Sequence, residues 1–64
     1  MVKINGEQMD LAGQTVAHYL ETAGYNLQRV AVERNGDIVP KRVYAETLFQ
    51  DGDQVEIVGF VGGG

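Results

Sequence analysis

The stretch RVAVERNGDIVP, residues 29–40, decides how this chain folds. Asn35-Gly36 at its centre is a strong hairpin signal, because both residues tolerate the positive φ that a type I′ turn needs. A two-residue loop pairs Arg34 with Asp37, Glu33 with Ile38, and Val32 with Val39. Val30, Val32 and Val39 then face a core, while Ala31, Glu33 and Ile38 face away from it. Pro40 has no N–H to give to a ladder, so the second strand ends there or lies at a sheet edge.

The same pattern recurs at the start of the chain. Val2 and Ile4 alternate with Lys3 and Asn5, and Asn5-Gly6 follows. Met9 and Leu11 resume the apolar face. A two-residue loop sets Val2 opposite Met9 and a four-residue loop sets Ile4 there; the core face is the same either way. Between the hairpins lies AGQTVAHYLETAGY. Thr15 can cap a helix. Val16, Tyr19, Leu20 and Ala23 are spaced to share one helical face, and Gly24 suits the position just past the end. The spacing predicts a helix over Val16 to Ala23. KRVYAETLFQ reads as a short helical turn carrying Val43, Leu48 and Phe49 onto the core, and DGD as a turn. QVEIVGFV reads as a strand with Val55 and Ile57 on one side and Glu56, Val58 and Phe60 on the other.

The order is β-β-α-β-β, a turn-rich stretch, then β. One helix on one mixed sheet is a two-layer α+β solution. The other face of the sheet is left open. It carries Ala31, Ile38, Val58 and Phe60, an apolar cluster that calls for an explanation; these residues with Val61 are the expected partner-docking surface.

The 64 residues make one domain, with 44% apolar and 22% charged residues. A domain of this size buries only about 60% of its unfolded surface, which leaves little volume for a deep catalytic pocket. There is no cysteine, serine or tryptophan, so thiol chemistry and the two commonest nucleophiles are missing. His18, the only histidine, lies about 200° around the helix from Val16, on the solvent side, with no triad partner. Asp51 and Asp53 resemble the opening of a calcium loop, but the remaining ligands do not follow; a turn before a strand is the reading, and no metal site is expected. Lys41-Arg42, with Arg34, makes a small basic spot read as solvated surface. A formal net charge of −4 without a basic stripe disfavours nucleic acid and can steer toward a basic protein surface. The apolar runs are too short to cross a membrane, and MVKINGEQ lacks the apolar region of a signal peptide. A cytoplasmic protein is expected.

The sequence closes on EIVGFVGGG. GFVGGG is no phosphate loop, because such loops need a helix after them. Glycines lose much conformational entropy on ordering, so a structural segment would not favour them. They have no side chains, and can thread a narrow channel. Residues 60–64, expected as a flexible tail on a 1–64 domain, reach about 15 Å at about 3.3–3.6 Å per residue. The tail presents an α-carboxyl, whose ordinary pKa of about 3.3–3.7 leaves it ionised at neutral pH and able to attack an activated phosphate.

GQTVAHYL, VAVERNGDIVPKR, DGDQVEIV and the closing VGGG, in that order and over nearly the whole length, resemble the ThiS family of sulfur carriers in thiamine biosynthesis, within the ubiquitin-like β-grasp superfamily. The resemblance implies a mixed sheet of about five strands on one main helix, with the first and last strands adjacent and parallel. It implies a protein cosubstrate rather than an enzyme, monomeric when free and with no bound cofactor. An ATP-dependent adenylating enzyme (ThiF-like) would join AMP to Gly64. Sulfur from a desulfurase relay would displace the AMP. Thiazole synthase (ThiG-like) would receive the sulfur from the resulting thiocarboxylate. Gly63 and Gly64 match the family's terminal pair, while Gly62 and Gly63 thread the tail into the partner. The family often has Arg directly after the Pro of its VP element; here Lys41 holds that place. Two alternatives stay open: a carrier like the small subunit of molybdopterin synthase, and a β-grasp binding module without tail chemistry.

Overall fold

Asn5 and Asn35 sit at φ 50 and 53, followed by Gly6 and Gly36 at 86 and 88. These are the paired left-handed conformations of type I′ turns. The computed structural model describes residues 1–59. Strand β1 (Val2–Ile4) pairs antiparallel with β2 (Glu7–Met9), and Val2 lies opposite Met9, as a two-residue loop requires. Strands β3 (Val30–Arg34) and β4 (Asp37–Val39) pair in the expected register, Val32 with Val39, Glu33 with Ile38 and Arg34 with Asp37. The β4 strand stops before Pro40 and lies at a sheet edge.

Strand β5 (Gln54–Gly59) joins the hairpins into one five-stranded mixed sheet of order β2-β1-β5-β3-β4. It runs parallel to β1 and antiparallel to β3. Both hairpin asparagines grip it. The Asn5 side chain accepts from the Ile57 N–H at 2.8 Å and donates to the Ile57 carbonyl at 3.2 Å. The Asn35 side-chain oxygen accepts from the Gln54 N–H at 2.9 Å, and the Asn35 backbone N–H donates to the Gln54 carbonyl at 2.8 Å. The residues that make the turns thus also fix the height of the central strand.

Helix α1 (Val16–Thr22) crosses one face of the sheet and buries Val16, Tyr19 and Leu20. The first three N–H groups of the helix all have partners outside its own ladder. Val16 N–H donates to the Thr47 carbonyl at 2.9 Å and Ala17 N–H to the Tyr44 carbonyl at 3.0 Å. His18 N–H donates to Thr15 Oγ1 at 3.1 Å, so Thr15 is the cap. At the other end Tyr25 N–H reaches the Leu20 carbonyl and Gly24 N–H the Glu21 carbonyl, with Gly24 at φ 88. That is a Schellman turn. It ends the helix one residue earlier than the spacing predicts, and Ala23, expected on the buried face, is the exposed C-cap.

The segment after β4 forms a 3-10 turn (Lys41–Val43) and then closes the core. Phe49 is 1% exposed and Tyr44 is buried with it, while Val43 is only partly covered. Leu48 was expected in the core but is 50% exposed. The reason is local geometry: Leu48 forms a bridge with Thr15, and neighbouring residues of an extended segment point to opposite sides. Only one of Leu48 and Phe49 can face inward. The larger ring does, meeting Tyr19 edge-on at 6.1 Å and 79°. Among the described residues, no helix is long and apolar enough to cross a membrane.

Candidate docking face and carrier tail

The face of the sheet opposite α1 is where the predicted docking residues fall. Ile38 on β4 is 66% exposed and Val58 on β5 is 58% exposed, while Ala31 on β3 is half-buried between strands. The three converge because Ala31 lies opposite Val58 and because Glu33, two positions along, lies opposite Ile38. They line a shallow hollow of ≈ 240 Å³ together with Glu33 and Glu56. The face is therefore not uniformly apolar. Glu33 and Glu56 lie directly opposite each other on β3 and β5. Phe60 and Val61, the other two predicted docking residues, and the predicted tail residues Gly62, Gly63 and Gly64 lie outside the described residues. The last described strand residue, Gly59, pairs with Val30 one step beyond the Ala31–Val58 row.

Asp53 positions that face, and its sequence neighbourhood suggests only a turn. It is 6% exposed. Its carboxylate accepts from Arg34 Nε at 2.8 Å, Asn35 Nδ2 at 3.0 Å and the Gln50 N–H at 2.8 Å. One side chain thus ties the β3–β4 turn to the start of β5. Burial pushes its pKa up, but the hydrogen bonds from Arg34, Gln50 and Asn35, with the Arg34 charge, outweigh this and hold it below the ordinary carboxylate value. A depressed folded pKa contributes stability above the unfolded value of about 3.9, which is lost as pH falls through the folded pKa. Asp53→Asn is accordingly expected to cost about 1–3 kcal/mol at neutral pH. Its deficit against wild type should shrink in melts taken below about pH 4. A deficit that stays constant down to the acid limit would contradict this role.

The other sequence candidates separate. His18 is exposed on α1, as its helical angle predicts. Arg34, read with Lys41 and Arg42 as a small basic spot, has its charge paired by Asp53. Lys41 Nζ is held by the Gln28 carbonyl at 3.0 Å. Burial raises the phenol pKa of both Tyr19 and Tyr44, so neither is tuned for proton transfer near neutrality. Among the described residues no three acidic or histidine side chains gather as metal ligands.

A mixed sheet with its first and last strands parallel at the centre, two flanking hairpins and one covering helix defines a ubiquitin-like β-grasp domain of the α+β class. The crystal structure of the thiamine biosynthesis protein (ThiS) from Geobacter metallireducens superposes with a TM-score of 0.76 at 30% identity, covering 98% of this chain and 97% of that one. The Sulfur carrier protein ThiS of Bacillus subtilis is 39% identical over 66 residues, covering all of both chains. The thiazole synthase of Paramagnetospirillum magneticum is 50% identical over 62 residues, 95% of this chain but 19% of that protein. A second thiazole synthase, from Magnetococcus marinus, is likewise matched over 20% of its length, so the chain spans about a fifth of these two relatives. The ThiS family model matches residues 2–64. The chain belongs to the ThiS family; the relatives from Bacillus subtilis and Thermus thermophilus, each covered over its whole length, are sulfur carrier proteins.

Proposed function

We propose that this chain carries sulfur for thiazole formation in thiamine biosynthesis, with the Gly64 carboxylate as its reactive group. The observation that supports this most is the family match running through residue 64, across the whole glycine run. In this reading an oxygen of the Gly64 carboxylate attacks the α-phosphorus of ATP within an adenylating enzyme, and pyrophosphate leaves. A persulfide from a desulfurase relay then displaces AMP from the acyl carbon, and a thiol cleaves the resulting acyl disulfide, leaving as a disulfide and releasing the thiocarboxylate. The thiocarboxylate so formed hands its sulfur to thiazole synthase. The chain's own part is to present the group: Gly62 and Gly63 have no side chains to obstruct a channel, and the domain docks beside its entrance. The likeness to two thiazole synthases supports that recipient over molybdopterin synthase. An ATP-using step and a chain without cysteine are in keeping with the cytoplasm.

The test is reconstitution. The chain is incubated with adenylating enzyme, ATP, desulfurase and cysteine, and then supplied to thiazole synthase with its other substrates. Thiazole should form in proportion to the chain supplied. Equal thiazole yield without the chain would sink the reading.

Ala31, Ile38, Val58, Phe60 and Val61 make the docking surface in this reading. Ile38→Asp places a charge on the apolar hollow without entering the core. Its affinity for the adenylating enzyme should fall about tenfold or more, while its melting temperature stays within a few degrees of wild type. Unchanged affinity by calorimetry would remove Ile38 from the interface.

A further inference from the structure

The open face holds an arrangement that the free domain does not use. Glu33 and Glu56 are directly opposed on neighbouring antiparallel strands, where like charges destabilise a sheet. Among the described residues neither glutamate belongs to an ion pair; the pairs are Met1–Asp51 and Arg34–Asp53. The two glutamates form the shared wall of two adjoining hollows. One is the apolar hollow of Ala31, Ile38 and Val58. The other, of ≈ 400 Å³, is lined also by Lys3, Asn35 and Gln54. Lys3 stands in that second hollow without approaching either carboxylate closely enough to pair.

Resting on the carrier reading, we propose that this face docks onto an enzyme surface that presents a basic side chain, an arginine or lysine, set among apolar groups. The cation is received between Glu33 and Glu56, and the apolar groups cover Ala31, Ile38 and Val58. An arginine fork can meet two carboxylates at once. The repulsion present in the free sheet is relieved only on docking, which favours the complex over the free domain. The charge also decides against other occupants. A two-fold contact with a second copy of this chain would bring two such pairs together, and an anionic lipid or nucleic-acid surface would be repelled. The net charge of −4 acts in the same direction, drawing the domain toward a basic surface.

The experiment uses the isosteric double variant E33Q/E56Q, titrated into purified adenylating enzyme and, separately, purified thiazole synthase. For at least one enzyme the affinity should fall about tenfold and lose most of its dependence on salt concentration. The variant should melt no lower than wild type, because a repulsion has been removed. Glu56→Lys, which sets opposite charges across the strands, should raise the melting temperature and weaken binding further. Loss of binding together with loss of stability would make the pair structural and overturn the proposal. So would unchanged affinity for both enzymes, even with normal sulfur loading of Gly64, a result that leaves the carrier reading standing. If E33Q/E56Q dimerises at unchanged enzyme affinity, the pair serves to keep copies apart and the proposal fails. If wild type binds neither enzyme, the carrier reading falls with it.

Discussion

Phe49→Ala is expected to leave most of the chain unfolded at physiological temperature. Among the described residues Phe49 is the largest of the fully buried side chains. Its ring meets Tyr19 edge-on. Its backbone holds the loop before the helix at two points, with Phe49 N–H donating to the Gln14 carbonyl and the Gly13 N–H donating to the Phe49 carbonyl, both at 2.9 Å. Removing the ring leaves a cavity between α1 and the sheet that this backbone cannot collapse to fill. Such truncations cost about 3–5 kcal/mol. A core of this size supplies on the order of 3–5 kcal/mol of net stability, so the change consumes nearly all of it. A circular-dichroism melt should show the midpoint lowered by tens of degrees, at about 4–8 °C per kcal/mol for a small domain. Leu48→Ala is the control one residue away: half exposed, it should cost under about 1 kcal/mol. Equal losses at the two positions would mean the inward and outward sides of this segment are misassigned.

Deleting Gly63 and Gly64 is expected to do the reverse: the domain survives and the function goes. Among the described residues the buried side chains of the core run from Val2 to Ile57, and the last strand pair is Val30 with Gly59. The truncated chain should therefore melt like the full one. It should still bind the adenylating enzyme through the sheet face, within a few-fold of wild type. Yet it should accept no AMP and no sulfur, because Gly62 would bring its carboxylate short of the reacting phosphate by about 7 Å, two residues of extended chain. A truncated chain that still takes up sulfur would move the chemistry away from Gly64 and leave a binding module as the better description.

The hairpins and their register were legible in the sequence because they are local. Asn5-Gly6 and Asn35-Gly36 specify both loop and twist within two residues, and alternation then assigns every strand face. The helix face was legible for Val16, Tyr19 and Leu20 for the same reason, and failed at Ala23, where the Gly24 turn ends the helix early. What was not legible depends on contacts distant in sequence. Asp53 reads as turn punctuation until Arg34 and Asn35, 19 and 18 residues earlier, are brought beside it. Glu33 and Glu56 each read as a solvated strand residue. Only the β3–β5 register sets them against one another. Leu48 and Phe49 are both apolar, and the choice between them rests on the Thr15 bridge. The tail was legible only as composition and family likeness, because its chemistry belongs to enzymes outside this chain.

The most direct measurement is the intact mass of the chain after incubation with adenylating enzyme, ATP and a sulfur source, followed by fragmentation to locate any change. The carrier account predicts a population in which one oxygen is replaced by sulfur, with the change confined to Gly64. A chain whose mass stays that of the free carboxylate, although the enzyme is active on a known ThiS protein, would contradict it.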